Sequence, residues 1–458
     1  MVLSSIPNLF LTSIYSNKKI TIVMFIIVTA IVTDTSFIKT YDLIGKKESL
    51  GWRTIAFASI VAVSIVGQYL VLGFVKQKRI NNIITPKEIH LNAIHKIITL
   101  VQYALLALLV FVLLQILVTS YYSTVMLTAI TSISYILATA MLALLAQRFF
   151  SWYKTNRNSV VLLYGLSSAI LAINAGFTLF LVNNAFLALP KETLPKMLGS
   201  GYDPLSSWAI ILTNSYFVSS ILSFLITWAA TTSLLRHYSY RLGRINYWII
   251  LAIPLAYFLS QFITFFLNTF QPLLQADPIF FNILVTLLFT LSKPIGGILF
   301  GVAFWIVARS IIHNNVVRNY MIISAYGFAL LFATNQAIVL VTAPYPPFGL
   351  ATVSFMGISS YLVLVGIYSS AISISLDVGL RKSIRKSVNE HLKFLDSIGS
   401  AQMDQGIQEV VLKMTKEHAD QMAEETGVKP SVTEDDMKQY LSDVLKEIST
   451  TKNRSLGR

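Results

Sequence analysis

The chain has 458 residues, 55% of them hydrophobic and 12% charged, and a formal net charge of +14. Soluble domains run near 25% charged, so about half the solvating charge of a water-exposed surface is present and a soluble globule is excluded. Cysteine is absent, which excludes disulfides, thiolate metal ligands and cysteine nucleophiles.

A membrane span takes about 17–25 mostly apolar residues. The first candidate, 20–32, follows Lys18 and Lys19 and has only the length of a signal-peptide core; read on through 33–38 it becomes a signal anchor. Asp34 and the threonines beside it make a poor cleavage site, which favours the anchor. Nine longer segments follow, at 54–75, 97–119, 121–146, 159–182, 207–235, 246–270, 279–309, 320–341 and 350–375. The expected fold class is all-α, a polytopic bundle of about ten transmembrane helices, or nine if the first is cleaved. Residues 1–53 form the anchor or signal peptide with an outer segment, 54–375 the transmembrane domain and 376–458 a cytoplasmic helical tail.

Orientation follows from Lys and Arg in the short connections. With the tail inside, the inner connections carry 15 basic residues and one acid, Glu88, whereas the outer ones carry six of each. Both termini are therefore expected in the cytoplasm, and a charge that first points to nucleic acid becomes a topology signal. Aromatic clusters such as Phe149, Phe150, Trp152 and Tyr153, or Tyr121 and Tyr122, are expected in the interfacial belts.

Two stretches read alike. Arg148, Arg157-Asn158, Tyr164-Gly165 and Asn174 are echoed by Arg309, Arg318-Asn319, Tyr326-Gly327 and Gln336, with Ser219-Ser220 and Ser359-Ser360 in the helices that follow. A parallel repeat of about 97–235 and 246–375 accounts for this, and so does chance similarity of basic inner loops. The proline-rich turn around Pro344, Pro346 and Pro347 reads as a stiff outer connector or as a lid over an outward pocket.

Lys293 is the only charge away from the ends of segments two to ten. Burying it near the midplane costs roughly 3 kcal/mol on insertion scales. Pro294, Gly296 and Gly297 follow, so a helix kink should free carbonyls for the ammonium, and Gly297 with Gly301 should let another helix approach closely. Gln68, Asn174 and Gln261 lie near mid-helix, and Asn335 and Gln336 farther out, which reads as a polar vestibule ending at Lys293. Interhelical hydrogen bonding explains most of these amides equally well. A small anionic or polar ligand is the partner these residues would take, with no cofactor.

In the tail, the tenth helix is expected to run on through Leu380, Ile384, Val388, Leu392, Leu395 and Ile398 until Gly399. Met403, Ile407, Val410 and Met414 then make one apolar seam, and Met437, Leu441, Val444 and Ile448 another. Each spans about two heptads and wants a partner: each other, a second copy or a cytoplasmic protein. No catalytic residue and no metal site emerges; His90, His95 and Glu88 read as loop residues, and the chain is read as a non-enzyme that binds no nucleic acid.

The segment from Ala343 to Leu350, the run Ser354-Phe355-Met356-Gly357 and the basic stretch from Leu380 to Lys386 resemble a group of uncharacterised multi-pass membrane proteins from ammonia-oxidising archaea, over the last third of the chain. The resemblance implies an archaeal cell membrane and transfers no activity or functional residue. Two functional readings follow from the residues. In one, a sensor couples a pocket around Lys293 to the tail; in the other, a transporter moves a small anion or polar solute. A scaffold subunit of a membrane complex is the third.

Overall fold

A computed structural model describes residues 17–40, 50–80, 88–119, 122–188, 207–236, 239–267, 276–311, 314–336, 346–386 and 390–426. Thirteen helices are numbered here: α1 (Asn17–Thr40), α2 (Leu50–Ile80), α3 (Glu88–Thr119), α4 (Thr124–Thr155), α5 (Ser159–Ala188), α6 (Ser207–Leu235), α7 (Arg244–Leu267), α8 (Pro278–Ser310), α9 (Asn315–Thr334), α10 (Leu350–Ser354), α11 (Met356–Leu376), α12 (Val378–Lys386) and α13 (Glu390–Thr426). Nine stretches among the described residues are long and apolar enough to cross a membrane, and α7 adds an apolar stretch over Arg244–Ser260. The chain is thus an all-α, multi-pass integral membrane bundle.

The stretch Leu350–Leu376, made of α10 and α11, is the centre of the bundle and is buried without a gap from Leu350 to Ile367, emerging only at Leu376. It packs against α1, α2, α3, α4, α9 and α13. Small residues permit this crowding: a Cβ on Gly366 would meet Ser324 N at 2.6 Å and Tyr320 O at 2.7 Å, so α9 and α11 touch backbone to backbone. Its serines return their hydroxyls to their own helix, as Ser359 and Ser360 do to Met356 O at 2.9 Å, so burial strands none of these donors.

The sequence leads one to expect an unbroken helix over 350–375, but Phe355 divides it. Inside a bilayer every freed backbone group needs an internal partner. Ser134 Oγ donates to Val353 O at 2.8 Å and Gln102 Nε2 to Ser354 O at 3.2 Å. At the other end of α10, Gly349 sits at φ 92, a left-handed conformation that favours glycine, and its N–H donates to Asp34 Oδ1 at 2.9 Å. Thr352 N and Thr352 Oγ1 donate to Asp34 Oδ2 at 3.0 and 2.7 Å. Asp34, read above only as part of a poor cleavage site, is a fully buried residue of α1. The same helix buries Ile20, Met24, Ile27 and Ile31, and Thr21 Oγ1 lies 2.7 Å from the Tyr326 hydroxyl.

The tail departs most from expectation. Helix α11 stops at Asp377, whose carboxylate accepts from Leu380 N at 2.9 Å and so starts α12 as a separate helix. Leu380 and Ile384 are buried, and Val388 lies outside the described residues. Gly399 does not end a helix, because α13 runs through it to Thr426. Its missing side chain has another reason: a Cβ there would collide with Ile374. The first three turns of α13 fold back onto the end of the bundle where α4 meets α5 and bury Leu392, Phe394, Leu395, Ile398 and Ala401. Phe149 and Trp152, expected in an interfacial belt, are fully buried in this junction, where Trp152 Nε1 donates to Gln402 Oε1 at 3.0 Å.

Candidate functional site

Lys293 is near the middle of the 33-residue α8, whereas α9 is only 20 residues long and ends beside it. The lysine Nζ donates to the carbonyl of Asn335, the C-cap of α9, at 2.8 Å and to the Tyr216 hydroxyl of α6 at 3.1 Å. The ammonium also lies 5.3 Å from the centre of the Tyr216 ring. A cation at a partly buried helix C-terminus gains up to ~2 kcal/mol, and a cation over a ring ~0.5–2 kcal/mol. Together these offset the roughly 3 kcal/mol insertion cost of a midplane lysine. No carboxylate pairs with Lys293 among the described residues.

Asn174 of α5 joins the same cluster. Its Nδ2 donates to Tyr216 O at 3.1 Å and to Ser219 Oγ at 2.9 Å, while its Oδ1 accepts from Asn335 Nδ2 at 3.0 Å. Gln336 Nε2 donates to Thr290 O at 3.0 Å. Thr290 is four residues before Pro294, so this is the carbonyl left free by the missing proline N–H. The sequence reading assigned such carbonyls to the lysine; the structure assigns this one to Gln336 and supplies the lysine from the end of α9. Helix α8 stays continuous across Pro294.

The glycines that follow bring helices together. A Cβ on Gly296 would run into the Phe224 ring, and one on Gly297 would meet Ala329 O and Phe332 Cβ, each at 2.9 Å. Phe224 stacks on Phe258 with centroids 3.9 Å apart and meets Phe300 at 5.3 Å, while Phe300 lies 4.8 Å from Phe332. Phe224 and Phe300 lie about two helical turns from Tyr216 and Lys293, toward the end of the bundle that α13 covers. Farther along, Tyr164, Phe304, Phe328 and Phe394 form a second layer, with Phe304 and Phe328 stacked at 4.7 Å and Tyr164 5.8 Å from Phe394. Two aromatic layers thus lie between the cluster and α13.

Lys293, Asn174, Asn335 and Gln336 thus come together, and Gln68 does not. Gln68 Nε2 donates to Ser354 Oγ at 2.6 Å and its Oε1 accepts from Gln102 Nε2, a separate pair that serves the break at Phe355. The side chain of Gln261 lies outside the described residues. In the tail, Leu380 and Ile384 are consumed by internal packing, Ile407, Val410 and Met414 are exposed, and Leu441 and Val444 lie outside the described residues. His95, read as a loop residue, is in α3, its Nδ1 2.6 Å from the Tyr361 hydroxyl. No cluster of metal-ligating residues forms among the described residues.

Sequence reasoning missed Tyr216. Its signal was a polar stripe along α6 at helical spacing, Tyr216, Ser219, Ser220, Ser223, Thr227 and Thr231, which faces α5. Tyr164 OH lies 3.3 Å from Thr231 Oγ1 and Ser167 Oγ 2.5 Å from Thr227 Oγ1. This seam runs from the lysine cluster to the aromatic layer around Tyr164.

Fold and site define a multi-pass membrane bundle with one polar, lysine-centred cluster at the junction of α5, α6, α8 and α9. No known family model matches the chain, and neither does any curated protein or any solved structure.

Proposed function

We propose that this protein is a receptor-like module of the cell membrane, with both termini in the cytoplasm, in which occupancy of the Lys293 cluster by a small anionic or polar ligand biases α13. One observation carries the reading. Helix α5 holds Asn174 in the cluster and, toward its other end, Tyr164 against Phe394, and Asn158, immediately before its first residue, donates its Nδ2 to Ser397 Oγ at 2.8 Å. A shift of α5 would therefore be felt directly by α13. Beyond its docked turns, α13 exposes Ile407, Val410 and Met414, an apolar row on which a cytoplasmic partner or second copy would settle.

The cysteine-free sequence permits a direct test. Single cysteines at the exposed positions Ile245, at the start of α7, and Val410, on α13, can be spin-labelled in the full chain. Lys293→Met is expected to shift or broaden the distance distribution between them. An unchanged distribution in a helical, monodisperse variant would sink the coupling.

A transport reading rests on a different observation. Helix α4 packs on α5 and α5 on α6, as α8 packs on α9 and α9 on α11, and the two sets touch through α4 with α11 and α8 with α6. A parallel repeat about an axis along the membrane normal would give such contacts, and the Asn174–Asn335 hydrogen bond would then lie near that axis. Uptake of a candidate anion into reconstituted vesicles, lost in Lys293→Ala, is the outcome that would favour it.

A further inference from the structure

Between α4 and α5 lies a groove of about 790 Å³, and no residue of the Lys293 cluster lines it. Its depth comes from small side chains, Ala143 and Ala146 along α4 and Ala169, Ala172 and Gly176 along α5. A Cβ on Gly176 would meet nothing within 4 Å, so the space there is open. Ile173 in the wall of the groove and Leu144 beside it are exposed, which turns the groove to the bilayer and not to the protein interior.

The two ends differ in chemistry. Toward Gly176 the lining is apolar but for Thr139, whereas the other end carries Gln147, Ser151 and Lys154 on successive turns of α4. Gln147 and Lys154 are exposed, and Ser151 Oγ accepts from Gln405 Nε2 at 2.8 Å, so the polar end is the one where α13 docks. None of the described residues that line the groove is acidic, and Lys154 gives its polar end a positive charge. From Thr139 to Lys154 is fifteen residues of one helix, about 22 Å. One leaflet of a bilayer, hydrocarbon and headgroup together, is about 20–22 Å deep. The groove is therefore as long as a leaflet, apolar where the chains lie and cationic where the headgroup lies. We infer that it is a binding site for an anionic phospholipid, one acyl chain lying along the alanines and Gly176 and the phosphate accepting from Lys154 Nζ. Lipid is bound here whether or not the Lys293 cluster takes a ligand.

Dioleoyl phosphatidylglycerol and dioleoyl phosphatidylcholine share their chains and differ in net charge, so they separate the headgroup from the groove. The detergent-purified full chain would be titrated with each, and the bound lipids counted by native mass spectrometry. One lysine at the headgroup level favours anionic lipid by about fivefold, so phosphatidylglycerol is expected to fill a first, saturable site at about one-fifth of the concentration that phosphatidylcholine needs. Lys154→Gln, a change at an exposed position, is expected to bring the two lipids together. Gly176→Phe, or Gly176→Leu as a smaller filler, is expected to remove the first site for both, each variant counting only if its helical content and size-exclusion profile match the parent. Equal affinity for the two lipids in the parent, or a preference that survives Lys154→Gln, would overturn the anionic headgroup and with it the proposal. Saturable binding unchanged by the fillers would place the lipid elsewhere, and a dimer that the fillers dissociate would give the groove to a second copy; either result overturns the site.

Discussion

Replacing Asp34 with alanine removes the acceptor for three donors at once: Gly349 N, Thr352 N and Thr352 Oγ1. The two backbone N–H groups belong to the start of α10 in the dry centre of the bundle, where water cannot replace the carboxylate. The Thr352 hydroxyl can turn to Ile31 O, 3.5 Å away, which leaves the two backbone donors; each unpaired costs about 1–3 kcal/mol, so the alanine variant should lose about 2–6 kcal/mol, less whatever is regained by no longer burying the carboxylate. Asparagine keeps one oxygen but turns an NH2 group toward the remaining donors, so Asp34→Asn should lose about half as much. The ranking of parent, then Asn, then Ala can be measured by unfolding the purified protein in mixed detergent micelles. An alanine variant within about 0.5 kcal/mol of the parent, or an asparagine variant below it, would show that α10 does not depend on this carboxylate.

The junction of α13 with the bundle should be as sensitive as a core. Phe394, fully buried, should lose about 3–5 kcal/mol as Phe394→Ala, and Trp152→Phe, which forfeits the bond to Gln402, about 1 kcal/mol, both read from the same unfolding assay. Gly366→Ala should cost about 1–3 kcal/mol, since its Cβ meets backbone of α9, while Gly176→Ala, with nothing within 4 Å, should be neutral or slightly stabilising. Because α1 packs on α8 and α9 and its Asp34 holds α10, mass spectrometry of the membrane-extracted protein should recover peptides spanning 17–40; their absence would mean that the bundle is assembled without it.

How far the site was legible varies residue by residue. Lys293 stood out because one charge in a long apolar run is visible without any neighbour, and Asn174, Asn335 and Gln336 could be grouped with it by depth along their segments. The same depth argument wrongly drew in Gln68, because depth says nothing of which way round the bundle a helix lies. Asp34 was visible as an acid at the end of an apolar run, but its donors are more than 300 residues away in the chain. The tail stripe through Leu380, Ile384, Leu392, Leu395 and Ile398 was legible as apolar, but not that the bundle itself covers it.

By itself the sequence determined where the apolar spans lie and roughly how many there are, their expected orientation and the one intramembrane cation. Those properties are sums over neighbouring residues, of hydropathy along about twenty positions and of charge along short loops. Only the tertiary structure decided that α9 stops beside Lys293, that the carbonyl freed by Pro294 goes to Gln336, and that α13 folds back onto one end of the bundle. Each of these is a pairing between groups far apart in the chain. In an interior without water every donor and acceptor must find a partner inside the protein, and helix order and rotation choose which one.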